Sequence, residues 1–503
     1  MNKHHATLLY DREKRYIITK NPCVPEEHIP VVTQWMIQNM INSGCHLNTI
    51  DLSLYIFRIC MSRMKDTTES LNVYIYTSMM LAIKYHESNL EKPTSFIGED
   101  NNKDTTVEKI IECESEVLEI FKYGLILPTI GRFIGAYTDE IYNNTIILSW
   151  LQIAYDSPDI IYNYKPSDIA MAIINLINND KQSNTDILLN ILKELIPNQT
   201  DTETKTEANT IKMESMESKP IAQSCTLIKK IGEGSYGKVY KATIKEDNTY
   251  AKKGDIVALK VQENICSNKT GVEKYVIRCL SVLQFTNHPN IVKVMDTNVD
   301  IVENKVYTVF EKGMCDLATY IEHKGRLDIS SVKYIVKHTL SALHYLHRHS
   351  IIHRDVKPQN ILMVKQGKCI VPKLIDFDLA KDTSSIALDK NINDANSEPL
   401  HTTETTTLWF RAPELLECDS DYTATVDIWA LGITLLYLLF DKYYPSEANA
   451  EDQLKAINDM YKNQFLENIP DKGASDLLLK MLEYDGTKRI SAKEAFYHPF
   501  LQQ

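Results

Sequence analysis

The stretch IIHRDVKPQNIL, residues 351–362, sets five polar side chains of different chemistry within eight positions: His353, Arg354, Asp355, Lys357 and Asn360. Apolar pairs close it on both sides. Chance alone makes so dense a mixture improbable. Sixteen residues after Asn360, an apolar run enters Asp376-Phe377-Asp378 within LIDFDLAKD (374–382). An acid at the mouth of a core neutralises a metal, a phosphate counter-ion or a basic partner. The plain alternative is a strand that stops in a polar turn. Upstream, Gly232-x-Gly234-x-x-Gly237 lies inside CTLIKKIGEGSYGKVYKATI (225–244), between two strand-like runs. A dinucleotide-binding turn shares that glycine spacing but leads from a strand into a helix. Glycine has no Cβ, so the backbone N–H groups of a hairpin flap can come close to phosphates. Lys260 ends the apolar VALK, a placement that suggests a cation held inside a site.

At 503 residues the chain exceeds one ordinary core, and two or three domains are expected. A net charge of -12 excludes a chain-wide surface for nucleic acid or anionic membrane, so neither is expected as a partner. The ten cysteines are scattered without a Cys-x-x-Cys pair, which points to a reducing intracellular compartment, cytoplasm or nucleus. The first residues have no apolar core of signal-peptide length. IWALGITLLYLLF (428–440) is too short to span a bilayer and reads as a buried helix.

The chain divides at a polar, Thr/Glu/Lys-rich segment without aromatic residues, QTDTETKTEANTIKMESMESK (199–219). Such a segment cannot bury enough apolar surface to offset its ordering entropy. The expected organisation is an extension over 1–27, an all-helical domain over 28–198, a disordered linker over 199–224 and an α+β domain over 225–503. Apolar residues recur at three- and four-residue steps in 31–41, 49–64, 72–88 and 107–121, and Pro166-Ser167 reads as a helix start. After the linker, strand-like text precedes helix-rich text, an α+β arrangement.

The glycine flap, Lys260, IIHRDVKPQNIL, DFD and Ala412-Pro413-Glu414 occur in an order that resembles a eukaryotic-type Ser/Thr protein kinase over about 226–501. IGEGSYGKVYKA, HPNIVKV, TLWFRAPELL and KRISAKEAFYHPFL resemble the cyclin-dependent kinases. The resemblance implies a bilobal fold, ATP and Mg2+ as cofactors, and proteins as substrates. It implies that Ile231, Gly232, Glu233, Gly234, Ser235, Tyr236, Gly237, Lys238 and Val239 cover the ATP phosphates while Lys260 holds two of them. Residues 310–313, with Glu311 and Gly313, would form the hinge beside adenine. Asp355 would accept the substrate hydroxyl proton, and Lys357 would steady the transferred group and favour Ser/Thr over Tyr. Asn360 and Asp376 would bind magnesium. Arg354, helped by Arg278 and Lys381, would clamp a phosphate on Thr402. Ser235 and Tyr236 match positions of inhibitory phosphorylation. Asp427 and Arg489 would be structural, Arg489 pairing with Glu414, and His353 would pack and hydrogen-bond.

This sequence departs from the pattern at two places. Asp378 stands where the family has glycine, which should stiffen the turn or change its angle; it also offers magnesium a second carboxylate. Nine residues before His288, where the family places the glutamate partner of Lys260, stands Cys279. Neither Glu273 nor Glu263 falls at that place. Lys260 is therefore expected to be poorly oriented and the activity weak, with a catalytically dead scaffold as the alternative. Thr405 and Thr406 replace apolar residues of the substrate platform, so a proline preference is not expected.

SMMLAIKYHE and ECESEVLEIFKYGLILPT then resemble the cyclin box, with YKPSDIAMAIINLI as the second repeat. That resemblance implies an all-α cyclin-like fold in which Lys84 and Glu114 touch a kinase. The kinase could be this chain's own, in cis, or a separate partner in trans.

Overall fold

The computed structural model describes residues 13, 18, 29–63, 71–86, 106–137, 144–178, 185–195, 221–234, 237–248, 250–267, 271–300, 303–383, 408–417, 422–442 and 445–502. Two compact units are present. One comprises Met1–Pro220 with Cys266–Ile277 and Ser384–Ile392; the other comprises Ile221–Ile265, Arg278–Thr383 and Asn393–Gln503.

The first unit is helical: α1 (Ile29–Asn42), α2 (Leu47–Arg63), α3 (Leu71–His86), α4 (Val107–Ile120), α5 (Ile130–Tyr137), α6 (Asn144–Asp156), α7 (Pro158–Ile161), α8 (Pro166–Asn178) and α9 (Thr185–Leu195). The expected apolar spacing produces these helices because side chains three and four apart share one face. Met36, Tyr55, Phe57, Phe133 and Trp150 fill the core. Within it, buried Asp51 accepts from Tyr155 Oη at 2.8 Å and from the Gly131 N–H at 2.9 Å. The start of α8 falls at Pro166, where Glu13 accepts from the Ser167 N–H at 2.8 Å and from Ser167 Oγ at 3.0 Å.

A two-stranded ladder, Cys266–Ser267 with Gly271–Val272, belongs to this same unit. Lys84 Nζ donates to the Val272 carbonyl at 3.0 Å and to Glu114. Glu114 Oε2 in turn accepts the Val272 N–H at 2.9 Å. The two side chains thus grip both main-chain groups of one residue. They are 3% and 0% exposed. Burial pushes the Glu114 carboxyl up, and the Lys84 ammonium opposes that push. Gly271 makes the approach possible: its φ is +67°, and a Cβ there would sit 1.9 Å from Glu114 Oε2.

In the second unit, strands β1 (Cys225–Gly234), β2 (Gly237–Ile244), β3 (Ile256–Glu263), β4 (Val294–Asp300) and β5 (Lys305–Glu311) form an antiparallel sheet in the order β1-β2-β3-β5-β4. Val257 and Leu259 of β3 are buried against Ala242, Ile244, Tyr307 and Val309. Successive strand residues alternate faces, so Lys260 points away from that core. Ile221–Ser224, at the end of the expected linker, is a short helix whose Ile221 joins this core.

Helix α10 (Lys274–Phe285) precedes β4. After β5 come β6 (Cys315–Asp316), α11 (Leu317–Lys324), α12 (Ile329–Arg348), β7 (Ile351–Ile352), β8 (Ile361–Gln366), β9 (Cys369–Leu374), β10 (Lys381–Asp382) and α13 (Val426–Phe440). Three strands pair in the order β9-β8-β6, and β10 pairs with β7. Residues 426–436 of α13 are all buried, matching the buried helix expected there. Among the described residues, no helix is long and apolar enough to cross a membrane.

His288 lies between α10 and β4. Its Nδ1 accepts the Asn290 N–H at 3.1 Å, Nε2 lies 3.3 Å from Ser341 Oγ, and the ring rests 5.0 Å from that of Tyr345. Burial, followed by His338, His344 and His349, holds its pKa down to about 4 from 6.5. The folded value is depressed, so the unfolded chain binds more protons between those two values. The stability tied to neutral His288 is complete above about pH 6.5 and is lost as pH falls towards 4. An NMR titration of the ring C–H should give a midpoint near 4; a midpoint near 6.5 would contradict this burial.

Candidate active site

A cleft of about 450 Å³ opens within the second unit. Its roof is the β1–β2 hairpin, where Gly234 pairs with Gly237. Position 237 requires glycine because a Cβ would sit 2.5 Å from the Val261 carbonyl oxygen. Ile231, Gly232, Glu233, Gly234, Gly237, Val239, Lys260, Glu311 and Gly313 all line the cleft. Lys238 instead pairs with Glu263 at 3.4 Å on the exposed side of the sheet. Glu233 pairs with Lys230 at 2.5 Å, both half exposed. Ser235 and Tyr236 fall outside the described residues.

The hinge positions behave differently from one another. The Glu311 carboxylate accepts from Lys373 Nζ at 2.6 Å and from the Lys293 N–H at 2.7 Å, while its own N–H donates to the Lys293 carbonyl at 3.1 Å. Both groups are therefore spent on shaping the hinge. At Gly313 a Cβ would lie 2.4 Å from Leu362 Cγ, so a side chain would invade the floor of the cleft.

Below the hinge, IIHRDVKPQNIL folds into a tight loop around Asp427. This buried carboxylate accepts the His353 N–H at 2.9 Å and His347 Nε2–H at 2.8 Å on one oxygen, and the Arg354 N–H at 2.8 Å on the other. Burial raises the Asp427 pKa, but His347 and then His353 outweigh it and hold it below the ordinary value. Arg354 has φ +66°, a left-handed conformation that these bonds help sustain. His353 is a packing residue, as expected. Its Nε2–H reaches the Ile375 carbonyl at 2.9 Å, its Nδ1 accepts the Asp355 N–H at 3.2 Å, and its ring meets Phe377 edge-on at 4.9 Å.

Asp355 Oδ2 accepts from Asn360 Nδ2 at 2.7 Å and lies 3.0 Å from Lys357 Nζ. Asn360 Nδ2 also reaches the Asp355 carbonyl at 2.8 Å. Asn360 is thus fixed with only its Oδ1 acceptor left for a cation. Asp376 sits at φ +65°, and its carboxylate is 38% exposed. Among the described residues, no group of three His, Cys, Asp or Glu side chains is placed to hold a metal. One amide oxygen and one carboxylate match a magnesium ion that completes its shell with phosphate oxygens and water.

The surroundings of Lys260 depart from expectation. Its ammonium is not left without a counter-charge. Asp378 Oδ2 lies 2.5 Å away and Asp376 Oδ1 3.2 Å away. Burial alone would lower the Lys260 pKa; Asp378, then Asp376, reverse the sign and raise it. Burial also pushes Asp376 up, and Lys260 overcomes this to hold it below the usual carboxylate range. Buried Asp378 is pushed up to about 6, with Lys260 opposing the shift. Cys279 donates its S–H to Asp378 Oδ1 at 3.1 Å. The absence of an acid at position 279 is legible in the sequence; its replacement by Asp378 is not. Two departures spaced 99 residues apart were the available signal.

Arg354 Nε donates to the Leu379 carbonyl at 2.6 Å and Nη1 donates to Tyr422 Oη at 3.0 Å. Lys381 Nζ lies 5.7 Å from the centre of the Tyr422 ring. Two cations thus converge on one tyrosine, and Arg278 stands on α10. Thr402, Thr405 and Thr406 lie outside the described residues. Arg489 grips Glu414 with two bonds of 2.7 and 3.0 Å, as expected.

Comparison with protein families gives two matches. The protein kinase domain matches residues 225–501, more than half of the chain. The cyclin N-terminal domain matches residues 2–126.

Proposed function

The chain belongs to the protein kinase family, and on that premise we propose that it is an ATP- and Mg2+-dependent Ser/Thr kinase governed by its own cyclin-like region and by phosphorylation of its activation segment. The observation that carries the reading is the interlocked set Asp355–Lys357–Asn360 beside Lys260 and Asp376. Phosphoryl transfer asks a protein mainly for positioning and charge neutralisation. Bound MgATP would supply the electrophilic phosphoryl group. With Oδ2 of Asp355 committed, Oδ1, which has no hydrogen-bond partner among the described residues, is the oxygen to receive the substrate hydroxyl proton. Lys357 steadies the transferred group, while the Asn360 amide oxygen and Asp376 hold the cation. The flap glycines offer backbone N–H groups to the phosphates.

Regulation in cis is supported by the grip of Lys84 and Glu114 on Val272, because Val272 belongs to the stretch matched as kinase. A linker of about 20–25 residues would give an effective concentration in the millimolar range. Arg354 and Lys381 supply positive charge for a phosphate on Thr402.

Purified full-length protein should transfer radiolabelled phosphate from ATP to a serine/threonine substrate and not to a tyrosine peptide. Cys279, a helix position without an acid, favours the rival reading of a binding scaffold. Label no greater than that of an Asp355→Ala protein would leave only the scaffold.

A further inference from the structure

The two departures from the family pattern meet at one carboxylate. Asp378 is 3% exposed in its side chain and Lys260 16%. Neither charge can rely on water, so each needs the other. Both oxygens of Asp378 are committed: Oδ2 to Lys260 Nζ at 2.5 Å and Oδ1 to Cys279 S–H at 3.1 Å. That double engagement fixes the rotamer of Asp378, and through it the direction of Lys260. Cys279 itself is 2% exposed. Burial, and then the charge of Asp378, keep its thiol protonated, so it acts as a donor and adds no competing charge.

The residue types are matched to each other. A glutamate at 279 facing Asp378 would crowd two further carboxylate oxygens around an ammonium that already touches two acids. A glycine at 378 facing Cys279 would leave Lys260 with Asp376 alone, the acid the cation also requires.

We propose that Asp378 is a positioning residue for phosphoryl transfer, holding Lys260 towards the nucleotide phosphates in place of an acid on α10, with Cys279 holding Asp378 in turn. This rests on the reading of the chain as an ATP-dependent kinase. It carries a regulatory consequence. The counter-charge of Lys260 stands on the same turn as Asp376, and His353 holds that turn through the Ile375 carbonyl and the ring of Phe377. Among the described residues, Cys279 is bonded to the cluster through a thiol hydrogen bond alone, weaker than an ion pair. Nucleotide binding is therefore tied to the 376–378 turn and only loosely to the position of α10.

The test uses full-length protein and nucleotide affinity measured by calorimetry alongside transfer rates. Asp378→Asn and Asp378→Gly should each weaken nucleotide binding about tenfold or more, with Mg2+ and with EDTA alike. Cys279→Glu alone should also be impaired. The exchanged pair, Cys279→Glu with Asp378→Gly, should recover affinity and rate to within about threefold of wild type. A merely structural role cannot yield recovery by exchanging the two positions. Unchanged affinity in the Asp378 variants, or an exchanged pair no better than its parents, would overturn the proposal while leaving the kinase reading intact. A defect confined to Mg2+ would assign Asp378 to the metal and overturn it as well. Wild-type protein that binds no nucleotide under any condition would end both readings. Because recovery is read from the double variant, misfolding of a single one does not decide the result.

Discussion

Asp355→Asn should lower kcat for phosphoryl transfer by about 10²–10⁴-fold while changing ATP affinity by less than about threefold. The substitution is isosteric. It keeps a carbonyl oxygen for Asn360 Nδ2 and removes only the charge and the basicity. The charge pairs with Lys357 Nζ at 3.0 Å, and both side chains are about nine-tenths buried. The ammonium therefore loses this counter-charge but stays beside an amide oxygen. The loop backbone is held separately through Asp427, so its shape should survive. Lys260, Asp376 and Asp378 do not depend on Asp355. The expected signature is thus a fall in kcat with little change in nucleotide binding, read by steady-state assay and calorimetry on one preparation. Equal loss of binding and rate would mean that Asp355 organises the pocket instead of taking the proton.

The second large effect concerns the helical unit. Glu114→Ala would strand the Lys84 ammonium at 3% exposure, and breaking a buried pair in this way costs about 3–5 kcal/mol. Gly271→Ala attacks the same place from the opposite side. It forces an L-residue to φ +67° and drives a methyl group to within 1.9 Å of Glu114 Oε2. The carboxylate is hemmed in by Lys84 and by the Val272 N–H, so it cannot simply swing away. Both variants should lower the apparent melting midpoint of the full-length chain and cut its transfer rate at least about tenfold. Lys84→Met combined with Glu114→Leu separates the two consequences. Apolar replacement of a buried pair is often neutral for stability, but here the Val272 N–H and carbonyl also lose these partners, so the midpoint should return only in part. The grip on the Val272 main chain would still be gone, so the rate should not. A full rate in that double variant would show that the grip does not control activity.

These contacts mark how far a sequence can be read. The helices of the first unit follow from a period of 3.6, and the buried helix α13 from an unbroken apolar run. The loop at 351–362 was legible because its chemistry is concentrated within eight residues. Lys260–Asp378 is different: the two are 118 residues apart, and no periodicity links them. Cys279 therefore read as something missing, since a thiol donor has no charge by which to announce its partner. Glu311 lines the cleft, but nothing local said that its carboxylate belongs to Lys373. The hold on Val272 was least visible, because it is made to main-chain atoms that every residue possesses. The resemblance named Lys84 and Glu114 as contact residues, but not the main-chain groups that they hold.

The seat of Asp427 has a consequence for how this protein fails under heat. The carboxylate that ties down the N–H groups of His353 and Arg354 rides on α13, whose residues 426–436 are all buried. Those two amides should then exchange their hydrogens only when the helical core itself comes apart. Loss of catalytic geometry and loss of the core become one event, with no partly working form in between.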